Sequence, residues 1–112
     1  MTVSTHILDT ARGTPADGVR VTLEREMETG VWAAVGSGRT DRGGRLREWL
    51  DAIDVGPGIY RLVFDTREYF ERQDTSSLFP CVTIVFEIAA GESHYHIPLL
   101  LSPFGYATYR GS

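Results

Sequence analysis

The sequence predicts an all-β protein, an antiparallel β-sandwich of about eight strands with one short α-helix. Short runs rich in Val, Ile, Thr, Tyr and Phe recur along the 112 residues. Gly, Pro and Asp separate these runs at close intervals, which is typical of strands joined by tight turns. Several runs alternate apolar with polar residues, as strands with one buried face do. The length suits one domain, so we expect residues 1–112 to form a single sandwich of two packed sheets.

Four strands are predicted in the first half of the chain. The first covers residues 4–9, and the glycines and proline of residues 13–18 form the turn after it. Residues 19–24 form the second strand, because Val19, Val21 and Leu23 alternate with polar neighbours and should share a buried face. Residues 31–40 form the third, and a tight turn at residues 41–44 leads into a fourth strand at residues 45–50.

The second half is predicted to contain the helix and four more strands. Residues 59–65 form a half-buried strand with Tyr60, Leu62 and Phe64 on its inner face. Residues 66–74 carry apolar residues at helical spacing, so we expect a short helix that Thr66 caps. The last three strands are expected at residues 83–88, 95–101 and 106–109, with glycine-containing turns between them.

Composition and charge exclude several classes of protein. The formal net charge is -4, and no cluster of basic residues is present, so we expect no nucleic-acid partner. No apolar run approaches the roughly 20 residues of a membrane-spanning helix, so we expect no membrane insertion. The first residues lack the features of a secretion signal, which together with a single cysteine favours a cytoplasmic protein. We expect Cys81 to be a buried, inert thiol.

Strand alternation assigns the histidines to particular faces. His6 shares a face with Ser4 and Leu8, opposite Thr5, Ile7 and Asp9. His96 shares a face with His94, Pro98 and Leu100, opposite the better core face, which consists of Tyr95, Ile97, Leu99 and Leu101. Both His6 and His96 therefore lie on the less core-like face of their strands, a position that indicates an interface or a cleft. Pro98 suits such a strand only near an edge of the sheet.

Pattern alone leaves alternatives open for each candidate residue. His6, His94 and His96 could together hold a metal ion, although no HExxH or CxxC motif accompanies them. Arg45 and Arg47 share a face and are equal candidates for binding an anion, and either is also consistent with a solvated charge on an edge strand. The last four residues would by default form a frayed tail.

Three segments resemble the signatures of the transthyretin-like family. Residues 4–9, which read Ser-Thr-His-Ile-Leu-Asp, and residues 13–16 are similar to its opening signature. Residues 40–46 resemble the middle segment that supplies the family's arginine, here Arg45. Residues 94–112, which end in Tyr-Arg-Gly-Ser, are similar to its closing signature. The resemblance covers essentially the whole chain.

This resemblance implies an eight-stranded transthyretin-like (prealbumin-like) sandwich that assembles as a homotetramer, a dimer of dimers with two sheets facing across a channel. The family contains a hormone carrier and a hydrolase that converts 5-hydroxyisourate to 2-oxo-4-hydroxy-4-carboxy-5-ureidoimidazoline in urate breakdown. The hydrolase is marked by His6, Arg45, His96 and the Tyr-Arg-Gly-Ser terminus, and all are present here.

The resemblance also implies roles for these residues. His6 and His96 would act jointly as general acid and base, and Arg45 would bind the small-molecule substrate with His6. Tyr109 and Ser112 would contact the substrate or orient water, and no metal or organic cofactor is expected. A carrier without catalysis and a plain interaction module are the rival functions. The roles of Arg47, His94 and the terminal carboxylate, and which histidine is the base, stay open.

Overall fold

The structure, a computed structural model, describes residues 2–47, 49 and 55–112. These residues form two sheets and one short helix. The elements in chain order are β1 (Thr2–Asp9), β2 (Thr14–Pro15), β3 (Arg20–Glu28), β4 (Val31–Arg39), β5 (Arg45–Leu46), β6 (Gly58–Phe64), α1 (Thr66–Glu71), β7 (Val82–Ile88), β8 (His94–His96), β9 (Leu99–Ser102) and β10 (Gly105–Thr108).

Strand β1 lies in the middle of the six-stranded sheet, which contains the path β10-β9-β1-β2. Two further strands, β5 and β8, also pair with β1. The second sheet has four strands in the order β4-β3-β6-β7, and every pairing in it is antiparallel. The predicted sandwich is thus confirmed.

The strands differ from the prediction in three ways. The apolar segment 95–101 forms two strands, β8 and β9, because Pro98 has no N–H to donate to a ladder. Pro98 is buried and lies between β8 and β9, in neither strand, so its missing N–H interrupts no ladder. The turn at residues 13–18 contributes the two-residue strand β2. Strand β1 also runs parallel to β8 and β9, a pairing that the long connection between these strands permits.

Three local predictions need correction. The predicted fourth strand at residues 45–50 reduces to Arg45–Leu46, and residues 48 and 50 lie outside the described residues. Thr66 does not cap α1: Asp65 is the N-cap residue, and the Thr66 hydroxyl donates to the Phe79 carbonyl. Cys81 is exposed rather than buried, because strand alternation turns the next residue, Val82, inward.

The core confirms the predicted inner faces of the strands. Its buried apolar residues include three alternating sets, which come from β3, β6 and the 95–101 segment: Val21 and Leu23; Tyr60, Leu62 and Phe64; and Tyr95, Ile97, Leu99 and Leu101. Helix α1 packs over the end of β1, where the Tyr69 hydroxyl donates to Asp9 Oδ2 over 2.7 Å. Desolvation by burial raises the pKa of Tyr69, and the Asp9 contact raises it further.

Gly44 joins the tight turn to β1 and tolerates no side chain. Its φ is +73°, in the left-handed region, and a Cβ there would meet the Ile7 carbonyl oxygen closer than real Cβ atoms come. The turn must lie this close, because the Gly44 carbonyl accepts a hydrogen bond from the Ile7 N–H over 2.8 Å. The glycine therefore permits the close approach that brings β5 beside β1.

We expect Gly44→Ala to lower the free energy of unfolding by about 2 kcal/mol more than Gly13→Ala does. Gly13 is a matched control, since its φ is +71° but nothing lies within 4 Å of its added Cβ. Both variants carry the cost of a positive φ, so the difference isolates the clash with Ile7. Urea denaturation of both variants measures it, and equal losses would show that the turn relaxes freely.

Candidate active site

Three adjacent strands bring together residues that are far apart in sequence. His6 in β1 pairs directly with Arg45 in β5, and Ser4 in β1 pairs directly with His96 in β8. Directly paired residues on neighbouring strands project from the same face of the sheet. His6, Arg45 and His96 therefore share one face, the face that points away from the sandwich core.

This face is more enclosed than an ordinary solvent face. The inward residues of β1 are buried, as expected for the core side. On the outward side Ser4 is only 2% exposed, and His6 and Leu8 are half-buried. His96 is half-buried as well, whereas His94 and Arg45 are exposed. The prediction that both strand histidines avoid the core face is confirmed.

His6 has an unpaired ring nitrogen. Its Nε2 atom is buried, and it finds no hydrogen-bond partner in the described part of the chain. An unpaired buried polar atom costs free energy, and such atoms are rare in folded proteins. Such an atom calls for a partner from outside the described residues, such as an ordered water or a ligand atom.

His96 is held from two sides. On one side its Nδ1 atom lies 2.8 Å from the buried hydroxyl of Ser4. On the other side its carbonyl accepts a hydrogen bond of 2.7 Å from the N–H of Gly111, which forms an isolated antiparallel bridge. The ring of His94 lies parallel to the His96 ring, with 6.4 Å between the centroids. These contacts give the imidazole a defined orientation.

The surroundings of His96 favour its neutral form. Desolvation by burial lowers the pKa of His96 from its ordinary value of 6.5, and nearby positive charge lowers it further. That charge comes from His94, His6, Arg45 and Arg47. A neutral imidazole at neutral pH can accept a proton, as a general base must.

Arg45 is positioned through its backbone by Asp41. The Asp41 carboxylate accepts hydrogen bonds from the N–H groups of Gly43 and Arg45, at 2.8 and 2.9 Å. The Arg45 contact is the main cause that lowers the pKa of Asp41, so this carboxylate stays ionised. Arg45 and Arg47 line the same surface cavity, and both act on His96 electrostatically. The guanidinium of Arg45 thus adds positive charge beside the two imidazoles.

The terminal run is docked along β8 rather than frayed. A Cβ on Gly111 would approach the His96 ring closer than real Cβ atoms come, so this position requires glycine. The guanidinium of Arg110 lies over the Tyr95 ring, 4.3 Å from its centroid, and contacts Glu92 at 3.4 Å. These contacts hold the run beside His96.

Within the described residues, no hydrogen bond or ion pair joins the two other predicted site residues, Tyr109 and Ser112, to His6, Arg45 or His96. Tyr109 is exposed and lines a cavity of about 540 Å³ at the edge of the sandwich, together with Phe86 and Tyr95. Ser112 is exposed at the end of the docked run. Sequence reasoning missed Ser4, Asp41 and Gly111 as residues of the site. The available signal for Ser4 was its place on the His6 face two residues earlier.

The metal alternative finds no ligand set in the described part of the chain. Within residues 2–47, 49 and 55–112, no group of three His, Cys, Asp or Glu side chains is arranged to hold a metal ion. Across the same residues, no helix combines the length and the apolar character needed to cross a membrane.

Known proteins are similar to this chain both in sequence and in fold. The profile of the HIUase/Transthyretin family matches residues 3–111. The chain belongs to this family. The 5-hydroxyisourate hydrolase of Salmonella dublin is 44% identical over 110 residues, which span 98% of this chain and 80% of that relative.

Solved structures of the HIUase/Transthyretin family superpose closely on the chain. The 5-hydroxyisourate hydrolase of Klebsiella pneumoniae is 39% identical, with a TM-score of 0.86 and full coverage of both chains, 100% each. Sea bream transthyretin in complex with thyroxine is 32% identical, with a TM-score of 0.91 over 97% of this chain and 93% of that one. Because the fold accommodates both kinds of protein, the site residues have to distinguish them.

Proposed function

We propose that this protein is a 5-hydroxyisourate hydrolase that acts in urate breakdown, as a cyclic amide hydrolase. The observation that carries the proposal is the shared outward face of His6, Arg45 and His96 on three adjacent strands. A face with two imidazoles and a guanidinium supplies acid-base groups and a cationic clamp. The 44% identity to the Salmonella hydrolase supports the same substrate.

The two histidines would move the protons of the reaction. A neutral imidazole takes a proton from water as the water oxygen attacks the ring carbonyl carbon. The carbon–nitrogen bond then breaks, and an imidazolium returns a proton to the leaving nitrogen. One water is consumed, the ring opens, and a carboxylate and a ureido group form. We assign the base to His96, whose imidazolium then returns the proton to the leaving nitrogen either directly or through His6 on the same face.

Arg45 would hold the planar substrate and balance developing charge. A guanidinium presents a rigid fork of donors that matches paired oxygens. During attack the carbonyl oxygen gains negative charge, and a fixed cation beside it lowers the energy of that state. Arg45 is well suited to this task because Asp41 fixes its backbone through the 2.9 Å contact.

We also propose that the chain forms one domain and that the protein is cytoplasmic.

We further propose a homotetramer in which the site of one subunit faces a second subunit. Strands β7 and β10 end their sheets, so their outer edges are free to pair with another copy. Large apolar side chains are exposed on these strands, with Val85 58% and Tyr106 43% exposed. Half-buried Leu8 and Leu100 give the His6 face an apolar rim for sheet-to-sheet contact. Tyr109 and Ser112 would then reach substrate at the subunit boundary.

The decisive test is an ultraviolet assay of ring opening. Urate oxidation generates fresh 5-hydroxyisourate, the purified protein is added, and the decay is compared with the spontaneous blank. We expect acceleration in proportion to protein concentration. A folded protein that binds the substrate or thyroxine without accelerating decay would be a carrier, and the hydrolase proposal would be wrong.

The activity should persist below the ordinary pKa of a histidine. Burial and the neighbouring positive charges lower the pKa of His96 below 6.5, so the base stays neutral as the pH falls through that value. Only below the lowered pKa should kcat/KM fall, by about tenfold per pH unit. A profile of kcat/KM from about pH 5 to 8 measures the acid limb. A fall in kcat/KM that begins above pH 6.5 would contradict the role of His96 as the base.

A further inference from the structure

Ser4 is the least exposed polar residue on the face that carries His6 and His96. Ser4 is 2% exposed, although it lies on the outward side of β1. Its Oγ atom is 2.8 Å from Nδ1 of His96 and 3.5 Å from Nε2 of His94. On its far side, His94 Nδ1 contacts the Thr2 hydroxyl at 2.5 Å. A chain of polar contacts therefore runs from the solvent at Thr2 to the imidazole of His96.

Two arrangements of the hydrogens make every contact along this chain donate in the same direction. A hydroxyl donates one proton and can accept others, and a neutral imidazole has one N–H and one bare nitrogen. In the first arrangement His96 Nδ1–H donates to Ser4, which donates to His94 Nε2, and His94 Nδ1–H donates to Thr2. Nε2 of His96 then carries a lone pair. In the second arrangement every bond is reversed, and Nε2 carries a hydrogen.

Only the first arrangement suits a general base, because the base must offer a lone pair to water. The first arrangement also stabilises the protonated form of His96. When Nε2 takes a proton, the Nδ1–H bond to Ser4 becomes charge-assisted and stronger. The serine oxygen already accepts at that point, so no group has to turn during the reaction.

We propose that Ser4 is a positioning residue for His96: its buried hydroxyl accepts the Nδ1 proton and leaves Nε2 as the basic nitrogen. This inference rests on the proposed hydrolase function for its catalytic meaning. The 2.8 Å contact carries it, and the longer contact to His94 completes the hydroxyl's bonding. Ser4 itself does not touch the substrate in this scheme.

Charged and titratable groups surround the His96 ring on every neighbouring element. They are His94 on β8, His6 on β1, and Arg45 and Arg47 at and after β5. Arg110 of the docked run lies 3.4 Å from the His94 carbonyl. His94, His6, Arg45 and Arg47 oppose protonation of His96, so the hydrogen bond to Ser4 would stabilise the imidazolium against their positive charge. Removal of an acceptor for Nδ1–H should therefore make protonation still harder.

The tautomer can be tested without catalysis. The protein has three histidines, so long-range ¹H–¹⁵N spectra of their rings are simple to assign with His6→Asn and His94→Asn variants. At a pH where His96 is neutral, we expect its proton on Nδ1 in the parent protein. Ser4→Ala should shift the population toward the Nε2–H form. A parent protein with the proton on Nε2, or an unchanged spectrum in Ser4→Ala, would overturn the inference.

Kinetics supply the second readout. Ser4→Ala should lower kcat by about 10–100-fold with little change in KM, and should move the acid limb of kcat/KM to lower pH. Thr66→Val is the control, because it removes another buried hydroxyl, in α1 and outside the site. We expect Thr66→Val to keep kcat and the acid limb of the parent. A limb that moves upward in Ser4→Ala would show that the serine donates to Nδ1, and the inference would be wrong.

The two readouts separate this inference from the proposed function. Ring spectra do not depend on turnover. A parent protein with the Nδ1–H tautomer but without hydrolysis of 5-hydroxyisourate would overturn the proposed function. An active parent protein whose Ser4→Ala variant retains full kcat would overturn the positioning role and leave the hydrolase intact.

Discussion

Replacement of His96 by alanine should lower kcat for 5-hydroxyisourate by about 100-fold or more, the usual worth of a general acid-base group. The variant loses the ring that Ser4 and the docked terminus hold in place. Added imidazole should restore part of the activity, because a small base can enter the space that the ring leaves.

The comparison variant for this experiment is His94→Ala. It removes an exposed imidazole two residues away on the same face, so it changes composition and charge in the same way. We expect a loss below about tenfold, since the ring of His94 lies 6.4 Å from that of His96 and is 3.5 Å from the Ser4 hydroxyl. Equal losses in the two variants, or a loss of only a few-fold in His96→Ala, would remove His96 from the role of base. Circular dichroism and thermal unfolding establish that both variants are folded.

The faces of the strands could be predicted from the sequence because a strand repeats every two residues. Alternation placed His6 opposite Ile7 and His96 opposite Ile97, and the burial of Ile7 and Ile97 confirms both assignments. The same logic gave the inner faces of β3 and β6. Periodicity is a local property, so it is readable wherever one face of a strand is buried.

Which strands lie side by side could not be predicted in this way. The site depends on the pairing of β1 with β8, whose residues Ser4 and His96 are 92 positions apart. It also depends on the pairing of His6 with Arg45, which the close approach at Gly44 permits. These are tertiary contacts without a local signal. The family signature could group the three residues, but it gave no reason for their proximity.

The errors in the local predictions share a cause. Thr66 has the side chain of a cap, but tertiary contacts direct its hydroxyl to the Phe79 carbonyl. Cys81 is of a type that is usually buried, but it precedes an inward residue of an edge strand and so faces outward. In both cases a preference of the residue type is weaker than the geometry that neighbouring elements impose.

The terminal run shows how a segment that appears dispensable in sequence can belong to a site. Deletion of residues 109–112 should abolish turnover while the sandwich stays folded. Strand β10 ends at Thr108, so the deletion removes no strand. It removes the bridge from Gly111 to His96, the contact of Arg110 with Tyr95, and an exposed ion pair with Glu92. A hydrogen bond and a cation–π contact of this kind contribute about 1 kcal/mol each to stability, which a folded domain tolerates.

The catalytic loss should be much larger than the loss of stability, because the deletion frees one side of the His96 backbone and removes Tyr109 and Ser112. Gly111→Ala tests the same contact with one methyl group: its Cβ would push against the His96 ring, so kcat should fall by about tenfold or more. Gly56→Ala is its control, since nothing lies within 4 Å of an added Cβ there. Ultraviolet assays of 5-hydroxyisourate decay measure the loss of kcat in all three variants, and urea denaturation measures their loss of stability. Full activity after the deletion would show that the docked run only covers β8, and the proposal for Tyr109 and Ser112 would be wrong.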